Sequence, residues 1–405
     1  MVKAHSLLYA VYICLIVSII CGAILYFASL YNQLNLFYNT RENLYIQNQS
    51  YVNFALENLD ENNTFYQDEV TGIQSFYENK SYGILNILHV KTFTKFDTIA
   101  SVHLTGSFSN EKTCLLIANQ GEPFYYSGKV KLIGDKKLST LRIQEKYIKN
   151  EQNLLTANGT LELAQPHLPK FNPALKDFFK QDVSYRFQLK DIERKGDSIY
   201  FNSFKNETIG IQFSGTVLEN ITIKGNFILY AKDSVFIKNT AVLEDVIIRS
   251  PKIMVEEDFK GSLQLFASDK IEVGKTAQIC YPSVLCLYGD SSEKRVVKVN
   301  EGASIYGAVI LIEEYDSKQE ENIMILKKEA VVIGEIYCMG KLMIEGKLYG
   351  TAYTNKVFYA TETSHYDNCM VNSEIDISKK PHFFVSVPIL EPKNKRNNGV
   401  FKKVL

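Results

Sequence analysis

Tryptophan is absent from this 405-residue sequence, proline occurs only 9 times and histidine only 6 times. No histidine lies between His167 and His365. That gap removes the imidazole base which acyltransferases built on repeated β-coils need at a coil interface. No GxGxxG, P-loop, HExxH or GxSxG pattern occurs, so the chain offers no motif for nucleotide, zinc-protease or serine-hydrolase chemistry, and no cofactor is expected. The cysteines contain no CxxC pair for zinc. Outside the N-terminal apolar run they are Cys114, Cys280, Cys286, Cys338 and Cys369, an odd set at irregular intervals that does not form a disulfide framework. Only Cys280 and Cys286 are close enough in sequence for a local bridge, and buried thiols are the preferred reading of the set. An excess of either charge is also missing. The 45 Lys+Arg balance 45 Asp+Glu, so no whole-chain field draws the protein to nucleic acid.

The most informative absence is local. Residues 6–40 contain no charged side chain. The apolar part, 7–28, spans about 33 Å as a helix at ~1.5 Å per residue, the thickness of a bilayer core. We read 6–29 as a single transmembrane helix, with Leu7, Leu15, Ile19, Ile24 and Phe27 among its anchoring side chains, after a short leader at 1–5. The run is longer than the ~7–15 residues of a signal-peptide core and no A-x-A site closes it. Cys21 follows Ile20, where lipoprotein processing needs a small side chain. Lys3 and His5 precede the span and Arg41 is the first basic residue after it, which places the N-terminus in the cytoplasm and the body outside a bacterial inner membrane.

Beyond the span, Leu30, Leu34, Phe37, Leu44, Tyr51 and Ala55 recur at spacings of three, four and seven, with Arg41 and Asn48 on the same stripe. The spacing predicts an amphipathic stem helix over 30–59, continuous with the anchor. A short basic leader, the run KAHSLLYA from Lys3 to Ala10 and an unbroken amphipathic continuation resemble the minor type IV pilins and pseudopilins. The sequence lacks that family's processing glycine and its glutamate near the start of the mature chain. The resemblance implies assembly with other envelope proteins, through the stem helix or through the β body that follows.

The rest reads as β structure, which the 25 tyrosines and 24 phenylalanines suit. A polar neck is expected over 60–81, an all-β region over 82–208 with a helical insertion near 170–182, and short apolar or alternating strands over 209–360. Among these are Val235-Phe-Ile, Ile253-Met-Val, Ile271-Glu-Val, Val309-Ile-Leu and Val331-Val-Ile. Near the end Gly334, Gly340 and Gly346 stand six apart, as do Ile336, Leu342 and Leu348. That interval predicts a parallel β-solenoid with a corner every sixth residue, in which inward aliphatics stack from coil to coil. The rungs of 334–357 resemble the bactofilins, β-helix proteins that polymerise. Residues 361–405 are expected to form a cap followed by a flexible basic tail containing Lys393, Lys395, Arg396, Lys402 and Lys403.

Candidate sites are few. Glu256, Glu257 and Asp258 supply hard oxygen ligands of the kind calcium takes, although a solvated turn is the preferred reading. His365, Asp367 and Cys369 have metal-compatible spacing in a loop. His89 and His103 sit in strand-like runs, where packing is the preferred role. Asp97-Thr98-Ile99, Asp197-Ser198-Ile199 and Asp233-Ser234-Val235 resemble the O-glycosylation signature of Bacteroidota, with Thr98, Ser198 and Ser234 as acceptors. The expected protein is mainly β, a parallel β-solenoid body on a long transmembrane α-helix. We expect a non-enzymatic structural or assembly component of a pilus-like or secretion apparatus in the cell envelope. The alternative is a membrane-tethered glycan-binding module that uses a tyrosine-rich face.

Overall fold

The computed structural model describes residues 4–59, 65–69, 71–109, 111–148, 151–173, 178, 185–188, 199–213, 216–289, 294–313, 322–391 and 397–404. It is mainly β, with one long N-terminal helix, Ala4–Glu57. The chain divides into two compact units. The first comprises 1–78 and 89–101, the second 79–88 and 102–405.

In the first unit the 54-residue helix is unbroken. No proline interrupts it, and its only glycine, Gly22, has nothing nearby to clash with. The expected span and the expected stem are thus one element as far as Glu57. Ser18 and Thr40 return their hydroxyls to carbonyls one turn back, those of Cys14 and Leu36, at 2.8 Å each, so these two donors are met within the helix. Near its end the helix presents a buried stripe of Leu44, Asn48, Tyr51, Val52 and Ala55. Ile73, Tyr77 and Val90 of the same unit are also buried, and the Tyr51 and Tyr77 rings meet edge to face with centroids 5.8 Å apart. The expected neck therefore contains folded chain. Phe65–Gln67 pairs antiparallel with the first residues of the strand Gln74–Tyr82, where Ser75 and Tyr77 are buried.

In the second unit most strands pair in parallel. Two series of pairings alternate along the chain, and both pass through the long strands Val331–Ile344 and Lys347–Ala360. Ser234 lies opposite Lys252 and Lys252 opposite Lys270, a step of 18 residues each time. In this series Val235, Ile253, Ile271, Val297, Met324, Leu342 and Val357 form one column in register, all essentially inaccessible. The other series aligns Ile211, Leu229, Ile248, Leu265, Leu285, Val309, Ile336, Ala352 and Leu115. Both columns belong to one hydrophobic cluster. Burying each such aliphatic contributes roughly 1.5–3 kcal/mol, so these stacked rows dominate the stability of the unit.

The two series differ on their second faces, and the sequence shows why. Strands such as Lys252–Val255 and Lys270–Val273 alternate because their outer positions are half exposed. There Lys270 and Lys298 pair with Glu272 at 2.7 and 3.0 Å. The other series alternates in the same way at its first residues but is buried on both sides in its later half, as in Gln278–Gly289 and Ser304–Glu313. Ile228, Ile247, Gln264, Val284, Ala308, Glu335 and Thr351 form its second column under a separate cluster that includes Ile84, Val102, Leu104, Ile389 and Val404. Double burial favours uninterrupted apolar runs such as Ala308 to Ile312.

The six-residue interval proves not to be the period of the fold. Gly334 and Gly340 lie within one strand, Val331–Ile344, and Gly346 turns the chain into the next, Lys347–Ala360. The rung step there is 16 residues, from Gly334 to Gly350. The glycines recur because each faces a carbonyl of the preceding rung: those of Gly307, Asn322 and Ala330 respectively. The basic tail also differs from expectation. Asn398–Val404 is a strand that pairs with 102–107, and Val404, with Phe401 partly buried, packs it into the second hydrophobic cluster. Lys393, Lys395 and Arg396 lie outside the described residues. Pro173 and Phe178 of the expected insertion are helical, and most of its other residues lie outside the described set. All seven thiols are free, so Cys280 and Cys286 form no bridge.

Candidate functional site

The apolar span is the feature with the plainest physical meaning. Leu7, Leu15, Ile19, Ile24 and Phe27 are all more than half exposed, and none of the span is buried by the chain itself. A helix of this length with that much bare aliphatic surface is a candidate membrane span.

Behind it, polar groups fasten the folded parts. In the first unit Asn48, buried on the helix, donates from Nδ2 to Thr92 Oγ1 at 3.2 Å and accepts from Ser101 Oγ at 2.8 Å. Thr92 and Ser75 share a further contact at 3.3 Å. Tyr77 Oη donates to the Asn58 carbonyl at 2.7 Å, closing the end of the helix. The apolar stripe is therefore interrupted at Asn48 by a satisfied polar socket.

In the second unit the turn Tyr82 to Ile84 docks on the parallel strands. Gln264 Oε1 accepts from the Ile84 N–H at 2.9 Å, and Gln264 Nε2 donates to the Tyr82 carbonyl at 2.9 Å. Tyr82 Oη reaches the carbonyls of Phe227 and Asp245 at 3.0 and 2.8 Å. Lys402 Nζ pairs with Glu244 and Asp245 at 2.8 Å each, which ties the C-terminal strand to the same region.

A second polar group breaks the doubly buried column. Glu335 and its register partner Thr351 are both buried, and the Glu111 carboxylate and Lys380 ammonium act on Glu335 electrostatically. Burial raises the Glu335 carboxyl above its ordinary range, and the Lys380 charge opposes that rise. His103 is also buried, and no hydrogen-bond partner is found for either ring nitrogen. Burial, with the nearby Lys403 charge adding, lowers His103 to about 4.

Most sequence-derived candidates lie apart from these features. Glu256 accepts from Lys238 Nζ at 2.8 Å and the Asn239 N–H at 2.9 Å, which hold its carboxyl below the usual range. Glu257 is exposed, and Asp258 accepts from Thr276 Oγ1 at 2.6 Å at the turn. His365 and Asp367 are 2.9 Å apart, whereas Cys369 is fully buried. Among the described residues no group of three or more His, Cys, Asp or Glu could hold a metal. Thr98 is exposed at a strand start and its N–H donates to Asp97 Oδ1 at 2.7 Å. Ser234 is half buried at a strand start, and Ser198 lies outside the described residues.

One cleft, of about 830 Å³, is floored by Met343, Phe358 and Tyr359 and rimmed by Lys294 and Lys341. His365 stacks on Phe358 at its edge, with centroids 5.3 Å apart. Comparison with protein-family models, with curated proteins and with solved structures yields no match.

Proposed function

We propose that this chain is a single-pass, non-enzymatic structural or assembly component of a bacterial cell envelope. On this reading its N-terminus is cytoplasmic and its body is a β-solenoid held outside the inner membrane, as part of a pilus-like or secretion apparatus. The observation that carries the reading is the exposed, uncharged stretch 6–40 at the start of an unbroken helix whose far end is packed. The in-register aliphatic columns, stepping by 15 to 27 residues between Ile211 and Val357, favour a solenoid, since each rung covers the next as stacked coils must. The resemblances of the stem to pilins and of the repeat to bactofilins give the assembly role. Purification of the native complex from membranes tests it: an envelope partner co-purifying with the chain is expected, and a free monomer under gentle extraction would count against it.

The cleft beside His365 favours a second reading, a membrane-tethered glycan-binding module. Aromatic floor and polar rim are the ingredients of sugar recognition. Glycan-array binding by the full chain, lost on Phe358→Ala with the fold intact, would support it over the first.

A further inference from the structure

The helix repeats its buried stripe where its own chain does not cover it. The spacing Leu30, Leu34, Phe37, Arg41, Leu44, Asn48, Tyr51, Ala55 alternates four and three throughout, the interval of a helix-pairing seam. The last four are held or packed within the first unit, whereas Leu30, Leu34 and Phe37 are 41 %, 49 % and 47 % exposed.

Lipid tails do not cover those three side chains. If residues 7–28 fill the bilayer core, Leu30 to Phe37 stand roughly 20 to 30 Å along the helix from its middle, against a half-thickness of about 15 Å. The polar companions Asn32, Gln33, Asn35 and Asn39 agree with a position in water. A partner chosen by charge has nothing to recognise along this stretch, because residues 6–40 contain no charged side chain. An identical helix fits. Neutral faces do not repel across a two-fold axis, and a shared anchor holds two copies parallel and at one depth, which fixes the register and raises the effective concentration.

We propose that the stem pairs with a second copy of this chain through Leu30, Leu34 and Phe37, as a parallel two-helix seam that ends at Arg41. Two Arg41 side chains meeting across the axis would repel, so the seam goes no further toward the body. This pairing rests on the membrane-anchor reading above.

Single cysteines placed in the full chain, in native membranes and on a Cys14→Ser, Cys21→Ser parent, test the seam. Under mild oxidation Leu30→Cys, Leu34→Cys and Phe37→Cys should form a disulfide-linked dimer about tenfold more than Asn32→Cys, Asn35→Cys and Asn39→Cys on the opposite side, as seam positions do. Leu34→Lys added to Leu30→Cys should abolish the dimer. Equal cross-linking at all six positions, none at any, or linkage to a different protein would overturn the pairing. Alkaline extraction of the same membranes separates the two readings. Variants that stay in the membrane without the periodic pattern defeat the pairing alone, and variants released by alkali defeat both.

Discussion

Ser101 donates a 2.8 Å hydrogen bond to the amide oxygen of Asn48, so the one polar position inside the helix's buried stripe is met by a hydroxyl from a strand of the same unit. Asn48 also donates to Thr92. Asn48→Ala leaves both hydroxyls buried without this partner, at a cost of about 2–4 kcal/mol. Hydrogen exchange should show faster opening of residues 74–78 and 89–101, with the parallel strands unaffected.

Gly334 sits at φ +135°, and a Cβ added there would overlap the carbonyl oxygen of Gly307 on the neighbouring rung. Both the backbone strain and the collision oppose a side chain, and neither relaxes without parting two rungs. Gly334→Ala should destabilise the second unit by roughly 3–5 kcal/mol. A large fall in its denaturation midpoint is the expected measurement.

His103 gives the protein an acid-sensitive point. Its folded value, about 4, is below the ordinary 6.5, so the unfolded chain binds the proton more readily. The His103 contribution is complete above pH 6.5 and is lost as pH drops from there toward 4. Thermal melts of His103→Leu should lack that loss, so the variant gains on the wild type as the medium is acidified.

Glu335 acts with the opposite sign. Its carboxyl is raised by burial, so the native state favours the protonated form. The contribution is present below the ordinary 4.5 and is lost as pH rises through the folded value. Glu335→Gln cannot ionise. The difference in melting temperature, variant minus wild type, should increase from pH 4 to pH 8, and a constant difference would contradict the assignment.

The legible parts of the fold are those that depend on local repetition. The absence of charge over 6–40 and the three-four spacing to Ala55 are properties of one helix, and they appear in the structure as one helix. Lys252-Ile-Met-Val reads as a half-buried strand because alternation is local too. Long-range effects were hidden. Gly334, Gly340 and Gly346 suggest a six-residue coil until the carbonyls they face, on the preceding rung, are known. Lys402 and Lys403 look like a solvated tail, since nothing nearby in sequence announces Glu244 and Asp245, the partners of Lys402. Asn48 reads as a flaw in an apolar stripe without Thr92 and Ser101. Glu335 and Gln264 had a usable signal: each is a polar residue in a strand otherwise apolar enough to be buried on both faces.

On the reading proposed above, the first helix holds the chain in a membrane. Alkaline carbonate extraction of membranes from cells producing the full chain, followed by detection of the body and its intact mass, tests it most directly. The expected result is full-length protein retained in the membrane pellet. Release into the supernatant, or a chain shortened by loss of residues 1–28, would contradict the account.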